Sequence, residues 1–436
     1  MDTIYQLIKR KNELPKGNVF PKKIKGIIYF YHQYSLNGVK ISKKISLYEA
    51  NEIKKQVAER KLIEQQIKEI LKKGNKDLSL SKCAKELTGF VMKSDKIVAV
   101  FDKGQLTWLD ETFCPLIIKR TKQLEPFLKY RSIDSGRTNS RVLKKVLNIN
   151  VKEDYLISLC SYAASISDDY WFKPMHSKLK YQDISFNNDI FFETSLKGLI
   201  TIYPNKLVLT PELTTNGSYE KGWRNIDGEW WLYKIGTKQE IFSELFYSRL
   251  FEKLKLPTAH YEYDGTYILT KNFATNLNFE PMISIIGDDE SIFSIYQALN
   301  AINHQIALDY LRLCFFDCVL NNIDRHNENT GIMRDKHNGE IISLAPNYDN
   351  NLSLISRIDK LPIDKNDGFL KMFIKEINKN KDVLEAYKEV DIPKIEEKII
   401  LQVIEEIGIE VDKENIKDFI LLRYKILKEE INKQHP

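Results

Sequence analysis

The sequence predicts an α+β fold with two lobes, a small β-rich lobe over about 205–280 and a larger helical lobe over 281–436. Two observations carry this prediction. Short β-prone runs bounded by Asn-Gly and Asp-Gly turns fill 205–275. Beyond about 290 the apolar residues recur mainly at helical spacing. Further α+β segments precede both lobes.

Turn signals place the elements of the small lobe. In LVLTPELTTNGSYEKGWRNIDGEWWLYKIG, turns at Asn216-Gly217 and Asp227-Gly228 separate three β-prone runs. Helical spacing follows in QEIFSELFYSRLFEKLKL, which Pro257 ends, and HYEYDGTYILTKNF returns to strand. In the larger lobe the main helical signals are SIYQALNAINHQIALDYLRLCFFDCVL, PKIEEKIILQVIEEIG and KENIKDFILLRYKILKEEINK.

Residues 1–80 are predicted to form a basic arm, a hairpin plus a helix. They carry 18 Lys and Arg against 8 Asp and Glu, a net charge of +10, while the whole chain has only +6. We expect strands near 24–34 and 39–45 about Asn37-Gly38, then a helix from Ser46 to about Lys73.

Two interpretations of this arm stay open. Its lysines and its tyrosines Tyr29, Tyr31 and Tyr34 would fit nucleic acid, where cations meet phosphates and aromatic rings meet sugars or bases. A solvated charged face on an adaptor or dimerisation arm has the same composition.

Residues 90–200 lack the spacing of a catalytic site and are interpreted as a packing or partner region. KIVAVFDKGQLTWL predicts a hairpin about Asp102-Lys103-Gly104, and EPFLKYRSIDSGRTNSRVLKKVLNI predicts two short helices. LISLCSYAASISDDYWFKP predicts an apolar helix with an acidic and aromatic end.

Composition excludes several classes of protein. The chain is 43% hydrophobic and 29% charged, and no apolar run approaches the roughly 20 residues of a membrane span. The start, MDTIYQLIKRKNELPKG, lacks the features of a secretion signal. We therefore expect a cytoplasmic protein with no membrane partner.

The five cysteines are scattered along the sequence. We expect Cys314 and Cys318 to be buried side chains rather than a pair of metal ligands.

The stretch NNIDRHNENTGIM, 321–333, collects ligand-capable side chains after a long apolar run. Phosphoryl transfer requires a carboxylate that accepts the proton of an attacking hydroxyl, and a neutral oxygen nearby that helps to hold Mg²⁺. Asp324 and Asn329 would meet both needs, at the spacing of the protein-kinase catalytic loop. Because Asp and Asn are also common in turns, this pattern is weak alone.

Three further residues extend the pattern. Asp349 is predicted at the end of a short strand after a turn, where a kinase places its second, metal-binding Asp. Lys234 ends a β-prone strand and needs a negative partner. Glu244 in the next helix would supply it and complete the clamp on nucleotide phosphates, with Glu240 as the competitor.

A glycine loop completes the series. Gly217 and Gly222 lie between β-prone runs, where backbone N–H groups could approach phosphate, although the chain contains no Walker motif. Loop, Lys, Glu, Asp-x-x-x-x-Asn and Asp follow one another in kinase order. The sequence therefore predicts a two-lobed protein-kinase-like fold.

These motifs resemble the HipA-like serine/threonine kinases, a bacterial family named for a toxin of toxin–antitoxin systems. DRHNEN at 324–329 is similar to the family's D-R-H-x-x-N signature, and PNYD at 346–349 to its P-x-Y/F-D segment. GSYEK at 217–221 is similar to its phosphate loop. The resemblance covers about 205–436 well and 90–200 more loosely.

The resemblance implies a role for each matched residue. Asp324 would be the catalytic base, and Asn329 and Asp349 the Mg²⁺ ligands. The ATP-binding residues would be Gly217, Ser218, Lys221, Lys234, Glu244, Lys271 and Phe273, the last two at a hinge that meets the adenine. Arg325 and His326 would brace the loop.

The resemblance also implies regulation and partners. A hydroxyl before the loop glycine can be autophosphorylated in the family, and Thr214, Thr215 and Ser218 are the candidates here. We expect an ATP- and Mg²⁺-dependent protein kinase, a toxin or a regulatory kinase, with a protein substrate and an antitoxin as a candidate partner. The alternatives are a kinase of a lipid or small molecule, or a degenerate kinase-like protein that binds nucleic acid or a partner.

Overall fold

The structure is a computed structural model. It describes residues 7, 10–11, 13–36, 39–73, 87–134, 136–146, 153–175, 177–187, 189–199, 211–214, 219–358, 360–364 and 367–433.

The arm is a three-stranded antiparallel sheet with one long helix. The strands are β1 Asn18–Ile24, β2 Ile27–Leu36 and β3 Val39–Ile45, and the helix is α1 Leu47–Lys73. The strand predicted near 24–34 corresponds to β2, and β1 is an additional strand that was not predicted. Lys25 and Gly26, with positive φ angles of 46° and 83°, form the tight turn between them. Ser46 caps α1 as expected, since its Oγ accepts from Glu49 N at 3.1 Å. The predicted turn at Asn37-Gly38 lies outside the described residues.

Residues 87–199 contain a second antiparallel sheet, with strands in the order β6-β5-β4-β7. Its strands are β4 Thr88–Lys93, β5 Lys96–Asp102, β6 Gln105–Trp108 and β7 Tyr170–Pro174. The helices around it are α2 Leu116–Thr121, α3 Glu125–Lys129, α4 Ser140–Val146, a 3₁₀ helix Asp154–Ser161, α5 Tyr181–Ile184 and α6 Phe192–Lys197.

The prediction of an apolar helix in LISLCSYAASISDDYWFKP is wrong. The 3₁₀ helix ends where Tyr162 and Ala163 both take a φ of 55°. The aromatic end then forms β7, whose residues Tyr170 to Phe172 are buried and pair with β4. Burial of aromatic side chains on both faces of a strand outweighs the helical periodicity of the preceding segment.

The small lobe has a four-stranded sheet in the order β10-β11-β9-β8. The strands are β8 Lys221–Ile226, β9 Glu229–Lys234, β10 Tyr261–Tyr263 and β11 Ile268–Lys271, and the helix is α7 Lys238–Lys253. The turn at Asp227-Gly228 is confirmed, with both residues at positive φ. Pro211–Thr214 form a 3₁₀ helix instead of the predicted strand, because Pro211 lacks the N–H that a central strand needs. The turn at Asn216-Gly217 lies outside the described residues.

The large lobe begins with a sheet in the order β12-β13-β14 and continues as helices. The strands are β12 Leu277–Pro281, β13 Gly331–Asp335 and β14 Ile341–Leu344. The helices are α8 Ile283–Ile286, α9 Ile292–Ile302, α10 His304–Val319, α11 Gly368–Lys379, α12 Lys381–Glu389, α13 Glu397–Ile407 and α14 Lys413–Ile431. The core packs around α10, and Cys314 and Cys318 are buried in it as free thiols, as predicted.

A buried polar network joins 87–199 to the sheet of the large lobe. Arg334 on β13 forms an ion pair with Glu280 on β12. Glu280 also accepts from the backbone N of Leu116 at 2.6 Å. On the same strand, Asn278 Nδ2 donates to Asp169 Oδ1 at 2.7 Å. Because unpaired polar groups are costly when buried, these matched groups fix the position of the region against β12.

Within the described residues, no helix is long and apolar enough to cross a membrane.

Candidate functional site

The loop that contains Asp324 is positioned by the end of helix α10. Asn303 caps the start of α10 through hydrogen bonds to Gln305 N and Ile306 N. Most of the helix is buried, and its last turn presents Asp317 to the interior, where it is 4% exposed. Tyr247 Oη and Asn322 Nδ2 donate to Asp317 Oδ1 at 2.9 Å and 2.8 Å. The apolar helix therefore supplies a fixed buried carboxylate directly beneath the loop.

Arg325 connects this carboxylate to the two segments of the site. It donates to both oxygens of Asp317, at 2.9 Å and 3.0 Å. Its Nη1 donates to the carbonyl oxygens of Asn329 at 2.6 Å and Tyr348 at 2.8 Å. Its Nη2 reaches Asn347 Oδ1 at 2.8 Å and Asn350 Oδ1 at 2.5 Å. One guanidinium thus holds the Asp324 loop beside the Asp349 segment.

The structure brings Asp324 and Asn329 together. Asn329 Nδ2 donates to the Asp324 carbonyl at 2.9 Å and to Asp324 Oδ2 at 3.2 Å. Partial burial raises the pKa of Asp324, and the nearby Asp349 carboxylate acts in the same direction. His326 Nδ1 accepts from Glu328 N at 3.1 Å, so His326 holds the turn of the loop. These contacts give the loop one half-buried carboxylate with a fixed amide beside it.

Lys234 and Asp349 form the second half of the site. Lys234 Nζ lies 2.6 Å from Asp349 Oδ1. Burial opposes the charge on Asp349, but Lys234 and Lys221 hold its pKa at about 2. Asp349 lies five residues beyond β14 and has a φ of 57°, so the prediction that it ends a strand is wrong. The Tyr261 hydroxyl accepts from Asp349 N at 3.0 Å and fixes this bend.

Glu244 is inside the site, but it is not the direct partner of Lys234. It is 1% exposed and its Oε1 accepts from Asn350 N at 2.7 Å. Burial raises its pKa, with Lys234 opposing. The predicted pairing is thus corrected, because Asp349 is the carboxylate within ion-pair distance of Lys234. Glu240 instead caps α7, where its Oε2 accepts from Thr237 N at 2.7 Å.

Lys221 provides a second cation in the same cavity. It is 7% exposed at the start of β8. Burial lowers its pKa to about 7, and the neighbouring Lys234 cation acts in the same direction. The remaining residues predicted for the phosphate loop, Gly217 and Ser218, lie outside the described residues, as do Thr215 and the side chain of Thr214.

The predicted hinge is only partly available for binding. Lys271 N donates to His260 O at 3.0 Å, and Asn272 N donates to Trp230 O at 2.8 Å. The Lys271 side chain pairs with Glu229 at 2.5 Å. Phe273 lines the cavity and its ring stacks near Tyr348, with 5.4 Å between centroids. The backbone N–H groups of Lys271 and Asn272 are therefore occupied, although both residues line the cavity together with Phe273.

A cavity of about 340 Å³ brings these residues together. Among the residues that line it are Lys221, Lys234, Thr270, Lys271, Phe273, Asp324, His326, Asn329, Tyr348 and Asp349. Its apolar lining includes Leu232, Ala274 and Phe279. Cations, carboxylates and an apolar wall in one enclosed space match the needs of a nucleotide.

Residues from 87–199 complete this cavity, which the sequence did not indicate. Tyr130, Arg131 and Asp134 line it, together with 164–168 and Phe186. Arg131 is buried against Asp168, with 2.5 Å between Nη2 and Oδ2. Apart from Ala164 and Phe186, these residues come from two motifs that are distant in the sequence, FLKYRSIDSGR and SISDDYWFKP. Arg131 joins the motifs through Asp168 and the carbonyl oxygen of Tyr170. Their acidic and aromatic content was the available signal.

Comparison with known proteins identifies the family of one segment of the chain. The HipA-like C-terminal domain family model matches residues 203–416. No curated protein sequence matches this chain. The solved toxin–antitoxin HipA of Shewanella oneidensis MR-1, in complex with HipB and operator DNA, is 14% identical, with a TM-score of 0.53. That match covers 80% of this chain and 100% of that one.

A second solved structure matches about half of the chain. The proinflammatory kinase CtkA of Helicobacter pylori is 18% identical, with a TM-score of 0.40, over 51% of this chain and 95% of that one. The likeness to HipA confirms the predicted α+β, protein-kinase-like fold class. Residues 203–416 of this chain form a HipA-like C-terminal domain.

Proposed function

We propose that this protein is a HipA-type kinase that transfers the γ-phosphate of ATP to a serine or threonine hydroxyl of a protein. One observation carries the proposal. A single cavity gathers Lys221 and Lys234 with Asp324, Asn329 and Asp349, the residue types that phosphoryl transfer requires. The family match over 203–416 supports it.

The cavity suits ATP in both size and chemistry. Its volume of about 340 Å³ lies within the range of small-molecule sites. Phe273 and the apolar wall would receive the adenine, since aromatic and aliphatic surface favours a flat heterocycle. Lys221 and Lys234, both buried, would meet the phosphates. We therefore propose that the phosphates lie beside the two lysines and the adenine lies against Phe273 and the apolar wall.

Asn329 and Asp349 have the donor chemistry for Mg²⁺, which prefers oxygen ligands and keeps substrate phosphates in its coordination. Asp349 is ionised at neutral pH because its pKa is about 2. Asn329 turns its Nδ2 to Asp324, which leaves Oδ1 as the oxygen that would bind. When bound, Mg²⁺ would neutralise charge on the β- and γ-phosphates.

Asp324 would take the proton in the transfer step. The acceptor hydroxyl oxygen forms a bond to the γ-phosphorus as the bond to the ADP oxygen breaks, and the hydroxyl proton passes to Asp324. Asn329 Nδ2 donates to Oδ2, so Oδ1 is the oxygen that faces the acceptor in this assignment. The raised pKa of Asp324 makes it a stronger base than an ordinary Asp.

The same proposal extends to partners. The related HipA of Shewanella oneidensis was solved with HipB and operator DNA, and we propose an antitoxin partner here. We also place the protein in the cytoplasm and keep autophosphorylation at Thr214, Thr215 or Ser218 as a prediction.

The test uses the purified full-length chain with Mg²⁺ and γ-labelled ATP. We expect label on the protein itself or on proteins of a bacterial lysate, at phosphoserine or phosphothreonine. If only lipids or small molecules are labelled, the protein is instead a kinase of a lipid or small molecule. ATP binding without any labelled product would favour the degenerate, partner-binding alternative.

Lys221 gives this site a predicted pH dependence. Its pKa of about 7, against an ordinary 10.5, means that it is charged below pH 7 and neutral above. The anionic phosphates of ATP favour the charged form of Lys221. Above pH 7, ATP binding is therefore coupled to the uptake of a proton by Lys221. We expect ATP affinity to fall by as much as about tenfold per pH unit above 7, measured by calorimetry between pH 6 and 9.

Lys221→Met provides the control. This variant should bind ATP more weakly at pH 6.5 and lose the steep decline, leaving only the shallow pH dependence of the nucleotide's own phosphate. Calorimetry at pH 8 in buffers of different ionisation enthalpy should record proton uptake by wild type and almost none by the variant. Equal proton uptake in both would contradict the assignment of Lys221.

A further inference from the structure

The two faces of the arm sheet have different surroundings. Helix α1 covers one face, where Phe30 lies beneath Lys54 and His32 and Ile45 are buried. Because side chains alternate along a strand, Tyr29, Tyr31 and Gln33 lie on the other face. We call this side, on which no helix or strand of the described residues packs, the open face. The strand register places Phe20, Lys22, Lys40, Ser42 and Lys44 on it as well.

The open face combines cations with ordered aromatic rings. Lys44 Nζ lies 3.8 Å from the centroid of the Tyr29 ring, and Phe20 stacks on Tyr31 with 6.2 Å between centroids. Lys22 and Lys40 are exposed. These contacts hold aromatic rings at the surface with ammonium groups around them.

The acidic residues of the described arm are confined to one side of it. From Pro15 to Tyr48 the sequence has seven lysines and no Asp or Glu. The acidic residues of the described arm lie on or beside α1, where Glu59 pairs with Arg10 and Glu52 with Lys55. Among the described residues, no carboxylate lies within ion-pair distance of Lys22, Lys40 or Lys44. A polyanion would therefore meet positive charge on the open face that no described carboxylate compensates.

We propose that the open face of the arm binds double-stranded DNA in the major groove. Three strands about 4.8 Å apart span about 10 Å between their outer backbones, which fits a B-form major groove about 12 Å wide. The minor groove, about 6 Å wide, and the narrow major groove of double-stranded RNA would exclude the sheet. The lysines at the margins would contact phosphates, while Tyr29, Tyr31 and Gln33 would face sugars and base edges.

The test measures binding of the full-length chain, without nucleotide, to a labelled mixed-sequence 20-base-pair DNA duplex by fluorescence anisotropy between 50 and 200 mM salt. The triple variant Lys22→Ala, Lys40→Ala, Lys44→Ala should lower the salt slope by about 2.7 units and weaken binding by roughly 100-fold at 100 mM salt. The matched control, Lys55→Ala, Lys394→Ala, Lys425→Ala, removes the same charge from exposed positions elsewhere and should bind like wild type.

Circular dichroism and ATP binding establish that both triple variants are folded. Several outcomes would overturn the proposal: no binding of wild type at 50 mM salt, an equal loss in both triple variants, or tighter binding to RNA duplex or to phosphatidylserine vesicles than to DNA. Because the assay omits ATP, and thermal unfolding can replace ATP binding as the folding control, the result is independent of whether the kinase proposal holds.

Discussion

Replacing Asp324 by Asn is expected to lower kcat for phosphate transfer by about 10² to 10⁴-fold. The amide keeps the shape of the carboxylate and can still accept from Asn329 Nδ2, which now lies 3.2 Å from Oδ2. It cannot take the proton of the acceptor hydroxyl. Because the change also removes a negative charge near Asp349, the affinity for ATP should stay the same or increase. Steady-state labelling and ATP titration measure the two effects separately.

Asp227→Asn is the matched control for this variant. Asp227 has a φ of 51° in the exposed turn between β8 and β9, a conformation that Asn adopts readily. It should therefore transfer phosphate at the wild-type rate. The assignment of Asp324 as the base fails if Asp324→Asn retains kcat within about threefold of wild type, or if both variants lose activity equally.

The pH profile gives a second readout of Asp324. A base acts only when ionised, so kcat should fall as pH decreases through its pKa. Burial raises that pKa, which places the acid limb above the ordinary value of 3.8 for Asp. The acid limb should be absent from the residual activity of Asp324→Asn.

Elements with local signals were predictable from the sequence. The Asp227-Gly228 turn, the capped start of α1 and the extent of α7 depend on residues close together in the chain. The Lys25-Gly26 turn was missed because the β-prone pattern continues across it. Strand β7 was missed because its pairing with β4 spans more than 70 residues, and periodicity in a short window carries no information about such contacts.

In the candidate site, too, local features were predictable from the sequence and contacts between distant residues were not. Asp324 and Asn329 were predicted from spacing, since both lie in one loop, and they are in contact. The partner of Lys234 was predicted as Glu244, but Asp349, which is distant in sequence, is the carboxylate within ion-pair distance of this lysine. Tyr130, Arg131 and Asp134 line the cavity because of the way residues 87–199 pack against β12. No local sequence motif predicts this packing.

Arg325→Met is expected to lower the free energy of unfolding by about 3–5 kcal/mol, the usual cost of removing one partner of a buried ion pair. Methionine retains much of the length, but Asp317 loses its cation, and the carbonyls of Asn329 and Tyr348 lose their shared donor. Urea unfolding measures this cost. Arg312→Met, on the same helix as Asp317 but at a more exposed pair with Asp309, should cost about 1 kcal/mol or less.

The double variant Asp317→Asn, Arg325→Met distinguishes stability from positioning. Removing both charges should recover part of the lost stability, because no uncompensated carboxylate remains buried. It should not recover activity, since the Asp324 loop and the Asp349 segment still lack the guanidinium that holds them together. A misplacement of about 1 Å is enough to lower kcat by about 10²-fold. If the double variant regains both stability and kcat, Arg325 only neutralises Asp317 and does not position the site.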